Sequence, residues 1–263
     1  MVVGNVRGRH RVPRPVSLSF ADHFSTIASR YATYRPRYPQ ALAGALAERC
    51  TRRDLAWDAG CGNGQLSVAL AEQFEEVIAT EPSQAQIDAA LAHPRVTYRK
   101  EPAEKSTLGN ASVDLAVAAQ AAHWFDWPGY VAEVERVARP GALVALVSYG
   151  ILHVQGEAGR VITHYYRDVV GPYWPPGRRH VENGYRDLAW PWPPVEAPAI
   201  DMTAEWTRDE LAGYVTTWSA TVKLVDTVGP APFEAFQARL AEVWPAEERR
   251  TVTWPLALRF ARR

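Results

Sequence analysis

Short apolar runs alternate with segments of helical spacing between residues 55 and 148. The runs are residues 55–58, 76–80, 96–99, 113–118 and 142–148. Runs of this length, bounded by turn residues, are typical of buried parallel strands. The segments between them place apolar residues three and four positions apart, as helices packed on a sheet require. The alternation predicts an α/β fold with a Rossmann-like, doubly wound and mostly parallel sheet, and helices on both faces.

The pattern is less regular beyond residue 149. Residues 199–206 and 251–260 are predicted as strands, and residues 209–218 and 232–243 as helices. Pro255 lies inside the last strand, which favours an edge position or a bulge there.

Three glycines at alternate positions follow the first apolar run, which ends in Asp58. Gly60, Gly62 and Gly64 precede a helical segment, so the turn offers close backbone approach and unpaired N–H groups to a ligand. A dinucleotide fold would place its third glycine at Gln65. A carboxylate at Asp58 would repel a pyrophosphate, whereas it suits the ammonium of S-adenosylmethionine, which contains no phosphate.

Glu81 follows the second strand, about 20 positions after the glycine turn, where a ribose diol is usually bound. A carboxylate accepts two hydroxyl hydrogens at once, which favours this role over a solvated strand end.

A series of motifs occurs in one order along most of the chain. They are residues 31–39 (YATYRPRYP), 58–64 (DAGCGNG), 118–126 (AAQAAHWFD), 173–176 (YWPP), 217–220 (TWSA) and 254–256 (WPL). Together they resemble the class I S-adenosylmethionine-dependent methyltransferases, in the subgroup that includes trans-aconitate methyltransferase-like enzymes. The basic N-terminal tail lies outside this resemblance.

The resemblance carries structural and functional expectations. It implies a seven-stranded sheet whose last strand is antiparallel, and an N-terminal segment with Tyr31 and Arg35 that folds over the cofactor. It also implies that Ala103 and Glu104 lie along the adenine edge, where an exposed Glu is the alternative interpretation. The cofactor contacts implied are Tyr31, Arg35, Asp58, Gly60, Gly62, Glu81, Ala103, Glu104, Gln120 and Ala121.

Residues 150–198 are rich in aromatic and arginine residues, and their prolines exclude one long helix. We interpret them as a substrate cap over the cofactor edge of the sheet; a second small core is the alternative. The cap arginines would hold an acidic substrate or solvate the surface. The predicted substrate-contacting residues are Tyr34, Tyr38, His123, Trp124, Tyr149, His164, Tyr165, Trp174 and Trp218.

Methyl transfer from a sulfonium is an in-line displacement, so the protein mainly supplies alignment and a dry cavity. A carboxylate or phenolate acceptor needs no strong base, whereas a neutral hydroxyl, amine or carbon acceptor needs proton removal. His123 and His164 are the candidate catalytic bases, although either would also serve a structural role. Trp124 would line the site or pack beneath it. Carboxyl or hydroxyl oxygen is the favoured acceptor; aromatic carbon or nitrogen is the alternative.

The predicted domain organisation has five parts. They are a disordered basic tail (1–17), an N-terminal helical lid (18–50), the cofactor-binding core (51–149), the substrate cap (150–198) and the remainder of the core (199–263). A proline-broken helix pair packed on the sheet is the alternative to the lid.

Composition narrows the classes of partner. The formal net charge of the 263 residues is zero, so nothing points to nucleic acid or a charged membrane. Cys50 and Cys61 form no disulfide framework, and the histidines lack metal-ligand spacing. No apolar run reaches membrane-spanning length. We therefore expect a cytoplasmic monomer or homodimer that acts on a small molecule without a metal. A nicotinamide dehydrogenase and a non-catalytic cofactor-binding protein are the competing functions.

Overall fold

The computed structural model describes residues 36–263. Its strands are β1 (Leu55–Ala59), β2 (Glu76–Thr80), β3 (Val96–Arg99), β4 (Val113–Ala119), β5 (Ala138–Tyr149), β6 (Pro194–Val195), β7 (Asp201–Trp206) and β8 (Arg250–Arg262). The helices of the core and cap are α1 (Gln40–Glu48), α2 (Gln65–Ala71), α3 (Gln84–Asp88), α4 (Trp127–Val137), α5 (Glu157–His164) and α6 (Arg178–Glu182). Those of the C-terminal part are α7 (Arg208–Thr216), α8 (Ser219–Val228) and α9 (Ala231–Val243).

The strands form one mixed sheet in the order β3-β2-β1-β4-β5-β8-β6, and β7 also pairs with β8. Strands β1 to β5 are parallel, whereas β8 runs antiparallel to β5. The predicted fold class is confirmed, including the antiparallel last strand. The sheet has eight strands rather than seven, because the two-residue strand β6 pairs with the end of β8.

The order of the parallel strands creates a crevice at one edge of the sheet. The chain moves outward from β1 to β3 and then returns to add β4 on the other side of β1. Connections leave β1 and β4 toward opposite sides at such a switch point, which is where open α/β sheets bind ligands.

The central strands are buried on both faces, as their apolar sequences predict. Neighbouring residues of β1 enter different clusters: Trp57 packs with α4, whereas Ala56 packs with α1 and α2. This is the alternation expected of a strand covered on both sides. Helices therefore cover both faces of the sheet below the crevice.

The segment 150–198 packs on two parts of the molecule. Its first half, including Ile162 and Tyr165, shares a hydrophobic cluster with α7, α8 and α9. Its second half, including Val181 and Trp192, packs with the cluster around α4. The segment therefore has no separate core.

Pro255 marks a change of partner along β8. Residues before it pair with β7, and pairing with β5 begins at Leu256, opposite Tyr149. The missing N–H of the proline therefore falls at the junction of two ladders.

Among the residues that the structure describes, no helix has the length and apolarity needed to span a bilayer.

Candidate active site

A cavity of about 480 Å³ opens at the carboxyl ends of the parallel strands, beneath the cap. Most of the predicted site residues within the described part of the chain line it. They are Tyr38, Asp58, Gly60, Gly62, Glu81, Ala103, Glu104, Gln120, Ala121, His123, Trp124, Tyr149, Trp174 and Trp218. Side chains separated by up to 180 positions in the sequence therefore meet in one space, whose volume suits a small ligand.

Asp58 lies at the base of this cavity, at the end of β1. Its carboxylate is 1% exposed, and Oδ2 accepts a 2.6 Å hydrogen bond from Ser67 Oγ of α2. Burial raises the pKa of Asp58 to about 6; the Ser67 hydrogen bond opposes this rise, and the negative charge of Glu81 adds to it. A cationic ligand group would compensate for the hydration that this carboxylate loses on burial, so the site favours such a group.

Glu81 holds the glycine turn and the start of α3 together. One carboxylate oxygen accepts from the backbone N–H of Gly62 and the other from that of Ser83, both at 3.0 Å. Each oxygen retains a second lone pair. The carboxylate is therefore fixed in orientation while it can still accept a pair of ligand hydroxyls.

The glycines of the turn meet different surroundings. A Cβ at Gly64, where φ is +80°, would lie 1.9 Å from the hydroxyl oxygen of Tyr98. A Cβ at Gly62, where φ is +55°, would meet only Gln86 Oε1 at 4.0 Å. Gly64 thus allows the turn to pack on β3, whereas the space above Gly62 belongs to the cavity and is open to a ligand.

Glu104 has a structural partner at the predicted adenine edge. Its Oε1 accepts a 2.7 Å hydrogen bond from the backbone N–H of Asp126. Asp126 occupies the N-cap position of α4, but its side chain makes no capping bond. The neighbouring Ala103 is buried. The adenine contacts implied for this pair remain a prediction.

Gln120 holds a strained backbone conformation directly after β4. Its φ of +54° is unusual for a residue with a Cβ, and its side-chain Nε2 donates to Tyr149 O at 2.8 Å. Strain of this kind is often found at functional sites. The next residue, Ala121, approaches Gly60 so closely that a Cβ on Gly60 would lie 2.6 Å from its own Cβ.

His123 lies on a single 3₁₀ turn, Ala122–Trp124, at the cavity wall. Its Nδ1 is 3.0 Å from the hydroxyl oxygen of Tyr185, a buried residue with a φ of +60°. Burial, together with the positive charges of Arg178 and His180, lowers the pKa of His123 to about 4. The imidazole is therefore neutral at pH 7 and able to accept a proton.

Aromatic side chains form the wall on the cap side. The rings of Trp174 and Trp218 are 5.9 Å apart, and those of Tyr38 and Tyr149 are 6.3 Å apart. Trp124 is 69% exposed at the rim, with its ring 4.9 Å from that of His123. These surfaces would exclude water from an acceptor and offer it flat apolar contacts.

Two predicted residues, His164 and Tyr165, lie outside the cavity. His164 points outward, with its side chain 68% exposed and its Nδ1 2.7 Å from Asp168 Oδ2. Tyr165 is buried in the cap core, with its ring 4.3 Å from that of Phe236. The chain is helical here, so successive side chains point in different directions, and it is Tyr166 that reaches the cavity. The structure does not bring His164 and Tyr165 together with the other predicted site residues, so the catalytic role of His164 and the substrate contacts of both residues stay predictions that this geometry does not support.

Tyr31, Tyr34 and Arg35 lie outside the described residues. The predicted lid and the cofactor contact of Arg35 therefore remain predictions.

Several cavity residues were missed from the sequence, notably Gln86, Tyr166, Arg178, Tyr214 and Thr217. Tyr214 lies four positions before Trp218 at the end of α7, a spacing that was available as a signal. Arg178 appeared only as one of several cap arginines, and no local pattern distinguished it from its neighbours. No group of three or more His, Cys, Asp or Glu side chains within residues 36–263 is placed to hold a metal ion.

Comparison with known proteins identifies relatives that cover most of the chain. The family model for the methyltransferase domain matches residues 57–146. A protein of Dictyostelium discoideum named as a methyltransferase is 35% identical over 211 residues, which cover 79% of this chain and 80% of that protein. A solved structure from Anaeromyxobacter dehalogenans, described as a type II methyltransferase, has a TM-score of 0.82 and 47% identity, covering 87% of this chain and 97% of that one.

A more distant structure shares the fold. A Bacillus subtilis protein has a TM-score of 0.52 at 15% identity, covering 86% of this chain and 99% of that chain. The similarity therefore extends beyond the glycine turn to most of the described sheet and its helices.

Proposed function

This chain belongs to the class I S-adenosylmethionine-dependent methyltransferases, and we propose that it methylates an oxygen atom of a small-molecule acceptor in the cavity at the sheet edge. The observation that supports the site most strongly is that Asp58 and Glu81 line the same cavity, with the open space above Gly62 beside them. The dehydrogenase alternative has no support among the relatives described above. Placement in the trans-aconitate methyltransferase-like subgroup remains a prediction.

The cavity residues fit the parts of S-adenosylmethionine. Glu81 would accept the ribose hydroxyls, Asp58 would attract the ammonium, and Ala103 with Glu104 would border the adenine. When bound, the cofactor supplies an activated methyl group on its sulfonium. The protein would hold an acceptor oxygen in line with that methyl group and exclude water with Trp174, Trp218 and Tyr149.

The acceptor determines whether a base is needed. A carboxylate or phenolate oxygen needs none, whereas a neutral hydroxyl would pass its proton to the neutral imidazole of His123. The aromatic wall supports a second candidate, in which carbon or nitrogen of a planar heterocycle is methylated. A small-molecule acceptor suits a chain with a formal net charge of zero better than nucleic acid does.

Transfer of isotope-labelled methyl tests the proposal. The protein is incubated with labelled S-adenosylmethionine and a panel of small carboxylic acids, phenols, alcohols and aromatic heterocycles. We expect labelled product with an oxygen acceptor, and no product with the Asp58→Ala variant. Product with heterocycles alone would favour the second candidate, and cofactor binding without any product would favour a non-catalytic role.

A further inference from the structure

Arg178 introduces a positive charge into a cavity whose other charged walls are carboxylates. Among the lining residues of the described chain, Asp58, Glu81 and Glu104 carry carboxylates, and Arg178 carries the one guanidinium. Its side chain is 19% exposed. Burying a charged guanidinium costs free energy unless an anionic group pairs with it. The partner of Arg178 therefore has to be identified.

The protein itself uses only part of this guanidinium. Nε donates a 2.7 Å hydrogen bond to the hydroxyl of Tyr166, and lies 3.8 Å from Glu182 Oε1. Within residues 36–263, Nη1 and Nη2 form no hydrogen bond. Glu182 is the nearest acid, but its side chain is 47% exposed and it accepts from Tyr166 Oη at 2.5 Å. Among the described residues, no group takes up the two terminal nitrogens, which form the fork that matches a carboxylate.

The guanidinium is also held in a fixed orientation. Its central carbon lies 4.6 Å from the ring centroid of Trp174 and 5.5 Å from that of Tyr166. These contacts and the Nε hydrogen bond hold the planar group before a ligand arrives, which lowers the entropy lost on binding.

The position of Arg178 places it at the acceptor end of the cavity. It follows Gly177, where a Cβ would lie 3.2 Å from the carbonyl oxygen of His123. His123 follows β4, whereas Glu81 follows β2, on the far side of β1. The start of α6 therefore packs against the segment that carries the candidate base, on the far side of β1 from the predicted ribose contact, and the positive charge of Arg178 helps to lower the pKa of His123.

From this arrangement, we propose that Arg178 forms an anion-binding subsite that holds a carboxylate group of the methyl acceptor next to His123. This inference rests on the proposed function for the identity of the ligand as an acceptor. Trp174 supplies a flat apolar surface beside the charge, so the subsite suits a small acid with an apolar or aromatic body. A carboxylate that accepts hydrogen bonds from both Nη1 and Nη2 would be attracted by the positive charge and held in one orientation.

The test compares a carboxylate probe with its neutral counterpart, without cofactor, so that it is independent of methyl transfer. Benzoate and benzamide are titrated into the full-length protein by NMR. We expect the wild type to bind benzoate at least about tenfold more tightly than benzamide. Arg178→Gln should remove that preference and leave benzamide binding unchanged, whereas Arg178→Lys should keep part of it. Arg179→Gln, at an exposed neighbouring position, should behave as the wild type.

Three results would overturn the subsite. The first is that the wild type binds benzoate and benzamide with equal affinity, or binds neither of them. The second is a carboxylate preference that survives in Arg178→Gln. The third is a loss of S-adenosylhomocysteine affinity in Arg178→Gln, measured separately by calorimetry, because it would show that the guanidinium holds the amino-acid part of the cofactor. Failure of methyl transfer alone leaves the probe titration unaffected.

Discussion

We expect the buried carboxylate of Asp58 to make cofactor affinity depend on pH. Because its pKa is raised to about 6, Asp58 changes charge within a range where the protein can be studied. In the proposed complex, only the ionised form of Asp58 would attract the cofactor ammonium. We expect the affinity for S-adenosylmethionine to increase about tenfold between pH 5 and pH 7, since about one tenth of such a group is ionised at pH 5. Calorimetry across this range measures the effect.

Asp58→Asn is the matched control for this prediction. It should bind the cofactor weakly at every pH, and a tenfold dependence that persists in this variant would assign the effect to another group. The stability of the ligand-free protein should change with pH in the opposite direction from the cofactor affinity. The folded-state pKa lies above 3.8, so the ligand-free protein loses stability as pH rises through about 6. Asp58→Asn should therefore unfold at a higher temperature than the wild type at pH 7.5.

His123 is placed to act as a base, and its role depends on the acceptor. With a pKa lowered to about 4, the imidazole is neutral above pH 5, so a rate limited by this group should be flat from pH 6 to 8. His123→Gln should reduce kcat for a neutral hydroxyl acceptor by roughly 10²-fold or more. An equal reduction for a carboxylate acceptor would show that His123 positions the acceptor and removes no proton.

At the scale of elements, glycine substitutions can distinguish positions that serve packing from positions that leave space for a ligand. Gly62, Gly64 and Gly141 all have positive φ values, of +55°, +80° and +82°, but nothing lies within 4 Å of a Cβ at Gly141. Gly141→Ala therefore measures the backbone strain alone, about 1–2 kcal/mol. Gly62→Ala should lose a similar free energy of unfolding and, in addition, most cofactor affinity.

Gly64→Ala should be the least stable of the three variants. Its Cβ would displace the hydroxyl of Tyr98, which donates a 2.7 Å hydrogen bond to Leu91 O. Chemical denaturation gives the unfolding free energies, and calorimetry gives the affinities. Unchanged cofactor affinity in Gly62→Ala would mean that the space above this glycine is not used by the ligand.

The parallel strands were predictable because each buried strand is a continuous apolar run in the local sequence. β2 and β3 have the predicted bounds, and β4 is longer by Ala119 alone. The strand β6 was not predictable, because two residues carry no pattern and their pairing with β8 is a tertiary contact.

The same distinction applies to the site. Asp58, Gly62 and Glu81 follow directly from strand ends and a turn, so their convergence was predictable. The sequence did not reveal that His164 and Tyr165 point away from the cavity, because the direction of each side chain depends on the helical phase, which a shift of one residue changes by about 100°. Arg178 reaches the cavity only because α6 packs beside His123, and sequence spacing contains no trace of that contact.

At the scale of the whole molecule, strand order and the packing of residues 150–198 create the candidate site. The return of the chain from β3 to β4 opens the crevice, and the segment 150–198 covers it while sharing cores with the helices on either side. Because the cap is anchored at both ends of its length, the aromatic wall and Arg178 are held against the strand ends. The site is therefore a property of the assembled fold.

The central claim is that the carboxylate of Glu81 binds the ribose of the cofactor in this cavity. Calorimetric titration of S-adenosylhomocysteine into the wild type and Glu81→Gln tests it most directly, with Glu76→Gln at the exposed opposite end of β2 as the control. We predict saturable binding at one site per chain, at least about tenfold weaker in Glu81→Gln and unchanged in Glu76→Gln. Absence of saturable binding by the wild type, or equal affinity in all three proteins, would contradict the account.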